Sequence, residues 1–156
     1  LAPRGVLEGQ QAALRSVREL VEDGPPAECT VHICGREIPA TPADTATEFG
    51  EFLCNRVAVF SAWADRNDYS LARLFDRRRL DSTITGEHRE TLVMPVMALA
   101  EYEGPDLRFV APCAVDGERL TVRDRLAELR AGVRRETTVL PDAHTSPPDE
   151  TPSLAR

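Results

Sequence analysis

The chain contains no lysine: its nineteen basic residues are all arginine, set against twenty-six carboxylates, for a formal net charge of −7 in 156 residues. Short, well-hydrated carboxylates keep a surface soluble in concentrated salt, where long aliphatic ammonium stems do not. A GC-rich genome also biases lysine towards arginine, and salt adaptation is the better of the two explanations. The chain also lacks any run of about eighteen apolar residues, the length a membrane-spanning helix needs, and its start lacks the charged-then-apolar pattern of a secretory signal. Composition therefore predicts a cytoplasmic chain with no membrane partner. The hydrophobic content of 42% is that of a chain able to build its own core.

Catalytic and metal-binding patterns are missing as well. Cys29, Cys34, Cys54 and Cys113 form no C-x-x-C pair and no zinc-finger spacing, so they read as small buried hydrophobes carrying reduced thiols. The nearest approach to a ligand set is Cys29, His32 and Cys34, but alternation along a strand would leave only His32 and Cys34 on one face. Two ligands make no metal site. The nine glycines are scattered singly, which excludes a glycine-rich phosphate cradle. Of the histidines, His144 lies in a polar tail, His88 in a loop beside Glu87 and Glu90, and His32 on a strand, and nothing places Ser61, Ser70 or Ser82 beside a base. Glu101 and Glu103 read as a solvated strand end rather than as acid and base. No catalytic residue and no cofactor is expected.

The periodicities that are present define an order of elements. Leu14, Val17, Leu20 and Val21 share one face of a helix over residues 8–22, ended by Asp23-Gly24-Pro25-Pro26. Residues 28–34 alternate as a short strand ending at Gly35. Thr41-Pro42 and Thr45 through Glu48 both offer starts for a long helix whose inner stripe is Phe49, Leu53, Val57, Phe60 and Trp63, widened by Phe52 and Val59. That helix is predicted to end near Arg66-Asn67-Asp68, and Ser70 to cap a second, short helix through Leu71, Leu74 and Phe75. Residues 91–102 and 107–111 read as a hairpin around Glu103-Gly104-Pro105-Asp106, the first strand buried on both faces. Asp116-Gly117 is a turn, and Thr121 with Asp124 caps a last helix bearing Val122, Leu126, Leu129 and Val133. Residues 1–135 thus make one domain, and 136–156, rich in Pro, Thr, Ser and Asp, read as a disordered tail.

This order predicts an α+β fold, an α/β sandwich. With one strand added before Leu1 it resembles the thioredoxin-like βαβ–αββα arrangement, and Pro95, after Leu92-Val93-Met94, falls where that fold carries a cis-proline. The cysteine pair of that fold would fall near Leu1-Ala2-Pro3-Arg4, where no cysteine stands, so its redox chemistry is not implied. A ferredoxin-like sandwich is the alternative. The first strand is then expected upstream of Leu1, with the 28–34 strand kept from direct pairing with 91–102.

Several stretches carry a second resemblance: Ala62-Trp63-Ala64-Asp65, Phe75-Asp76-Arg77-Arg78-Arg79, residues 94–102, Phe109 through Cys113 and Thr121 through Leu126. Over about residues 1–131 they are similar to a haloarchaeal family of small proteins labelled helix-turn-helix domain-containing. The resemblance implies DNA binding and assigns no residue a role. The residues themselves offer one candidate: the long helix, the Asn67-Asp68-Tyr69 turn, and a short helix presenting Arg73, Arg77, Arg78 and Arg79 to phosphates and guanine edges. Asp65, Asp68, Asp76 and Asp81 interrupt that positive field. The expected function is a non-catalytic binding or regulatory domain serving a protein partner, a small ligand or a homodimer; the alternative is a DNA-binding regulator.

Overall fold

The computed structural model describes residues 4–24, 29, 31–32, 36–40, 47–71, 75–81, 84, 86 and 88–142. Three helices and eight short strands among them give a mixed α+β fold. The helices are α1 (Arg4–Asp23), α2 (Glu48–Arg66) and α3 (Val122–Arg130). The strands are β1 (Glu37–Pro39), β2 (Asp76–Asp81), β3 (His88–Val93), β4 (Leu99–Glu103), β5 (Asp106–Ala111), β6 (Cys113–Val115), β7 (Glu118–Leu120) and β8 (Leu140–Pro141). They assemble into sheets ordered β1-β3-β2, β4-β5-β8 and β6-β7.

Every pairing among the described strands is antiparallel. β1 and β2, joined through α2, run parallel on either side of β3 as a split βαβ unit, but the described strands fall into three small sheets rather than the one sheet that the thioredoxin-like and ferredoxin-like expectations require. Among the described residues the strand ahead of the long helix is β1, at 37–39; of the strand expected over 28–34, Cys29, Val31 and His32 are described and lie outside any strand, and the rest lies outside the described residues. β1 pairs directly with β3, Ile38 opposite Leu92. The long strand expected over 91–102 is divided into β3 and β4, and Pro95 lies in the connection, where it interrupts no ladder. The cis peptide bond of the described backbone is Ala111–Pro112, not the bond before Pro95.

Helix α2 organises the core. Thr47 caps it, accepting from Gly50 N–H at 2.9 Å, and Glu48 and Glu51 in its first turn complement the helix dipole. Neither Thr41 nor Thr45 is the cap. Leu53, Val57, Trp63 and Ala64 are buried, with Phe49, Phe52, Val59 and Phe60 packed around them as the stripe predicts. Trp63 is fully buried, donates from Nε1 to the Arg108 carbonyl at 3.0 Å, and meets Phe109 and Tyr69 edge-on at 5.3 and 5.1 Å. Such edge-to-face contacts add about 0.5–1.5 kcal/mol each beyond burial. α2 thereby joins the β1-β3-β2 sheet on one side to the β4-β5-β8 sheet on the other.

Turn chemistry closes the remaining elements. Asp116 and Gly117, at φ 52° and 79°, make the two-residue hairpin turn between β6 and β7. The α3 capping box forms as expected, with Asp124 N–H on Thr121 Oγ1 and Thr121 N–H on Asp124 Oδ2. Its end comes earlier than the apolar spacing suggests. Gly132 at φ 74° and the Val133 N–H bonded to the Glu128 carbonyl end the helix, leaving Val133 outside it. Residues 136–142 belong to the fold, although composition assigns them to the tail: β8 pairs with β5, and Asp142 is only 3% exposed.

Candidate functional site

The three consecutive arginines lie on a strand. Ser70 bridges backbone to backbone with Ala114, and the chain enters β2 at Asp76, so Arg77, Arg78 and Arg79 sit on β2, an edge strand of the β1-β3-β2 sheet paired with β3, instead of on a recognition helix. A six-residue antiparallel register, from Asp76 opposite Val93 to Asp81 opposite His88, holds the arginine run extended; residues 72–74 of the short helix expected before it lie outside the described residues, and the Phe75 N–H bonds to the Leu71 carbonyl at 2.9 Å. Arg73 lies outside the described residues.

Strand alternation puts Arg77 and Arg79 on one face of the ribbon and Arg78 on the other. All three side chains are exposed. Arg77 meets Glu90 at 3.5 Å, and Arg78 meets Glu37 of β1 at 3.1 Å. The arginines of these pairs are 65% and 58% exposed, so each pair is worth at most about 1 kcal/mol and exchanges readily for another anion. Between β2 and β3, Ile84 is 94% exposed.

Two buried arginine networks stand behind this surface. Arg56, 6% exposed on α2, pairs with Asp142; its Nη1 lies 3.3 Å from Tyr102 Oη, and that hydroxyl donates to Asp142 Oδ2 at 2.9 Å. Burial lowers the pKa of Arg56 and raises that of Tyr102, with each partner opposing the other's shift. Arg56 Nε and Nη2 have no hydrogen-bond partner among the described residues. The second network centres on Arg125, 4% exposed on α3, which forks onto Glu101 at 2.7 and 3.0 Å, reaches Glu128 at 3.0 Å and stacks over Phe109 at 4.6 Å. Arg135 adds two bonds to Glu128, at 2.8 and 2.6 Å, and holds its carboxyl below the ordinary range. Burial works against Arg125, and the two glutamates more than offset it, leaving its pKa raised.

Both networks tie elements together, and neither carries a nucleophile. Cys113 is buried beside the second, and burial pushes its thiol up to about 11, against the opposing field of Arg135. His32 packs on Phe49 and Phe52, with ring centroids 5.9 and 5.3 Å away, and burial lowers its pKa. Among the described residues no three His, Cys, Asp or Glu side chains gather as a metal site. No described helix is long and apolar enough to cross a membrane.

The sequence offered a sign of both networks. Arg56 lies within the α2 stripe, three residues after Leu53 and four before Phe60, and Arg125 lies three after Val122 and four before Leu129. A cation on an apolar stripe must be buried with partners, and that spacing was the available signal.

The described elements contain no two successive helices joined by a short turn; α1 and α2 are separated by β1, and α2 and α3 by six strands. Residues 1–134 nevertheless match a family model described as a helix-turn-helix domain. No curated protein and no solved structure matches the chain.

Proposed function

We propose, since the chain belongs to the helix-turn-helix domain family, that it is a non-catalytic regulator that contacts duplex DNA through the β2–β3 ribbon rather than through a helix. The observation that carries this reading is the run Arg77, Arg78 and Arg79, exposed on the β2–β3 hairpin at the edge of the sheet, whose tip runs past β1. The major groove admits a β-ribbon as readily as a helix. Arginines on both faces suit neutralisation of the phosphates flanking a groove, which positions a protein without reading sequence. Ile84, between β2 and β3, is the apolar group that such a ribbon brings to the base edges.

Binding replaces weak carboxylate partners with phosphate and works against a net charge of −7. Affinity is therefore modest and strongly salt-dependent. Three neutralised phosphates give a log–log slope of about −2.7, so raising salt from 50 to 200 mM weakens binding about 40-fold. Fluorescence anisotropy with a labelled duplex tests this. Replacing Arg77, Arg78 and Arg79 together by Ser should flatten the slope, and Glu37→Gln with Glu90→Gln should tighten binding by freeing their partners. The reading is lost if the chain shows no binding at 50 mM salt, or if the triple variant binds with an unchanged slope.

A further inference from the structure

Helices α1 and α3 lie side by side and run in the same direction. Near one end Arg123 Nη2 comes within 3.9 Å of the position a Cβ on Gly9 would occupy, and at the other Arg130 reaches Ser16 at 3.4 Å and Glu19 at 2.7 Å. Gly9, Ala13 and Ser16 of α1 repeat at helical spacing and line the groove against α3. Two helices that met through larger residues would interdigitate; these leave a half-open cavity of ≈ 360 Å³, with Met97, Leu126 and Ala127 also in its wall. That volume falls within the range of small-molecule sites, about 300–1,000 Å³.

Its charged groups are of one sign. Arg123 and Arg130 line the cavity seven residues apart on α3, about 10 Å along the axis. Arg130 is paired with Glu19 at 2.7 Å in an exposed bridge, whereas Arg123 has no ion pair among the described residues. The neighbouring Asp124 carboxylate is held by the Thr121 amide in the capping box. Gly9 has no packing reason to lack a side chain, since a Cβ there would meet nothing closer than that guanidinium, and a mid-helix glycine costs about 1 kcal/mol relative to alanine.

From the cavity, its apolar wall and the unpaired guanidinium at one end, we infer that the α1–α3 groove binds a small amphipathic monocarboxylate, its apolar body between the helices and its carboxylate on Arg123. The site is distinct from the ribbon and stands whether or not the ribbon meets DNA. Isothermal titration calorimetry of the whole chain with octanoate, octanol and octylamine, each below its micellar concentration, tests it. Octanoate should bind saturably, one per chain, and more tightly than octylamine. Arg123→Gln removes an exposed charge pair and should weaken octanoate about three- to fivefold, leaving octanol unchanged. Ala13→Leu, filling the cavity, should weaken both. No saturable octanoate binding, octylamine binding as tightly as octanoate, or equal octanoate affinity in Arg123→Gln overturns the inference. Arg123→Gln leaves the packed core intact and so decides the question even if Ala13→Leu fails to fold.

Discussion

Replacing Asp142 by Ala should be among the most damaging single changes to the described fold, although the residue lies beyond the last helix. Its carboxylate is the charged partner of Arg56, and both residues are almost fully buried. Without it the guanidinium would keep, among the described residues, the Tyr102 hydroxyl and the Phe52 ring 5.4 Å away, with Nε and Nη2 already unsatisfied. Breaking a buried pair from one side costs about 3–5 kcal/mol, a large share of the roughly 5–15 kcal/mol that holds a domain folded. At about 2–4 °C per kcal/mol for a chain of this size, Tm should fall by about 10 °C. Urea unfolding would read the loss directly, as a shift in midpoint at nearly constant m-value. The companion variant decides the cause. Arg56→Met with Asp142→Ala removes the stranded charge and should recover most of the loss, because well-packed apolar replacements of buried pairs are often neutral. A cost for Asp142→Ala below about 1 kcal/mol, the level of a surface pair, would refute the reasoning, as would a double variant no more stable than the single. A third result is excluded in the same way: if β8, only two residues long, simply detached and let Arg56 reach water, Leu140 amide exchange would rise while the midpoint stayed put.

Two further outcomes follow from burial. His32 has its pKa lowered in the folded state, so the unfolded chain binds more protons, and stability should fall as pH drops through the unfolded value of about 6.5 towards the folded one; His32→Phe should remove that segment of the pH–stability curve, and an unchanged curve counts against it. Cys113, fully buried with its thiol raised to about 11, should resist iodoacetamide at pH 8 in the folded chain and react once urea is added, as peptide mass spectrometry would show; labelling at the rate of an exposed thiol would contradict the burial.

What could be read from the sequence was what short-range physics decides. The α2 stripe from Phe49 to Trp63, the Asp116-Gly117 turn and the Thr121–Asp124 capping box each depend on residues within a few positions of one another, and each is found. The class, α+β, follows from those elements. The topology depended on which strands pair, and Ile38 opposite Leu92 is a contact across more than fifty residues that no local pattern announces. The candidate site shows the same division. Arg77, Arg78 and Arg79 were visible as a cluster, but the helix expected to carry them rested on Ser70 and Leu71, whereas their actual conformation is set by partners at 90–92. Asp142 was hidden for another reason: composition assigns a proline- and threonine-rich segment to a tail, and composition cannot register one carboxylate that enters the core.

The pairing of α1 with α3 also bears on how the chain is made. Residues 4–23 leave the ribosome about a hundred residues before the helix that covers them, which at about 5–20 residues per second is a wait of about 5–20 s. Throughout that interval Ala13, Val17 and Leu20, which pack against the finished core, have no α3 to lie against. Until α3 emerges, the nascent chain is therefore open to chaperones, and to its own neighbours on a polysome, along this face of α1.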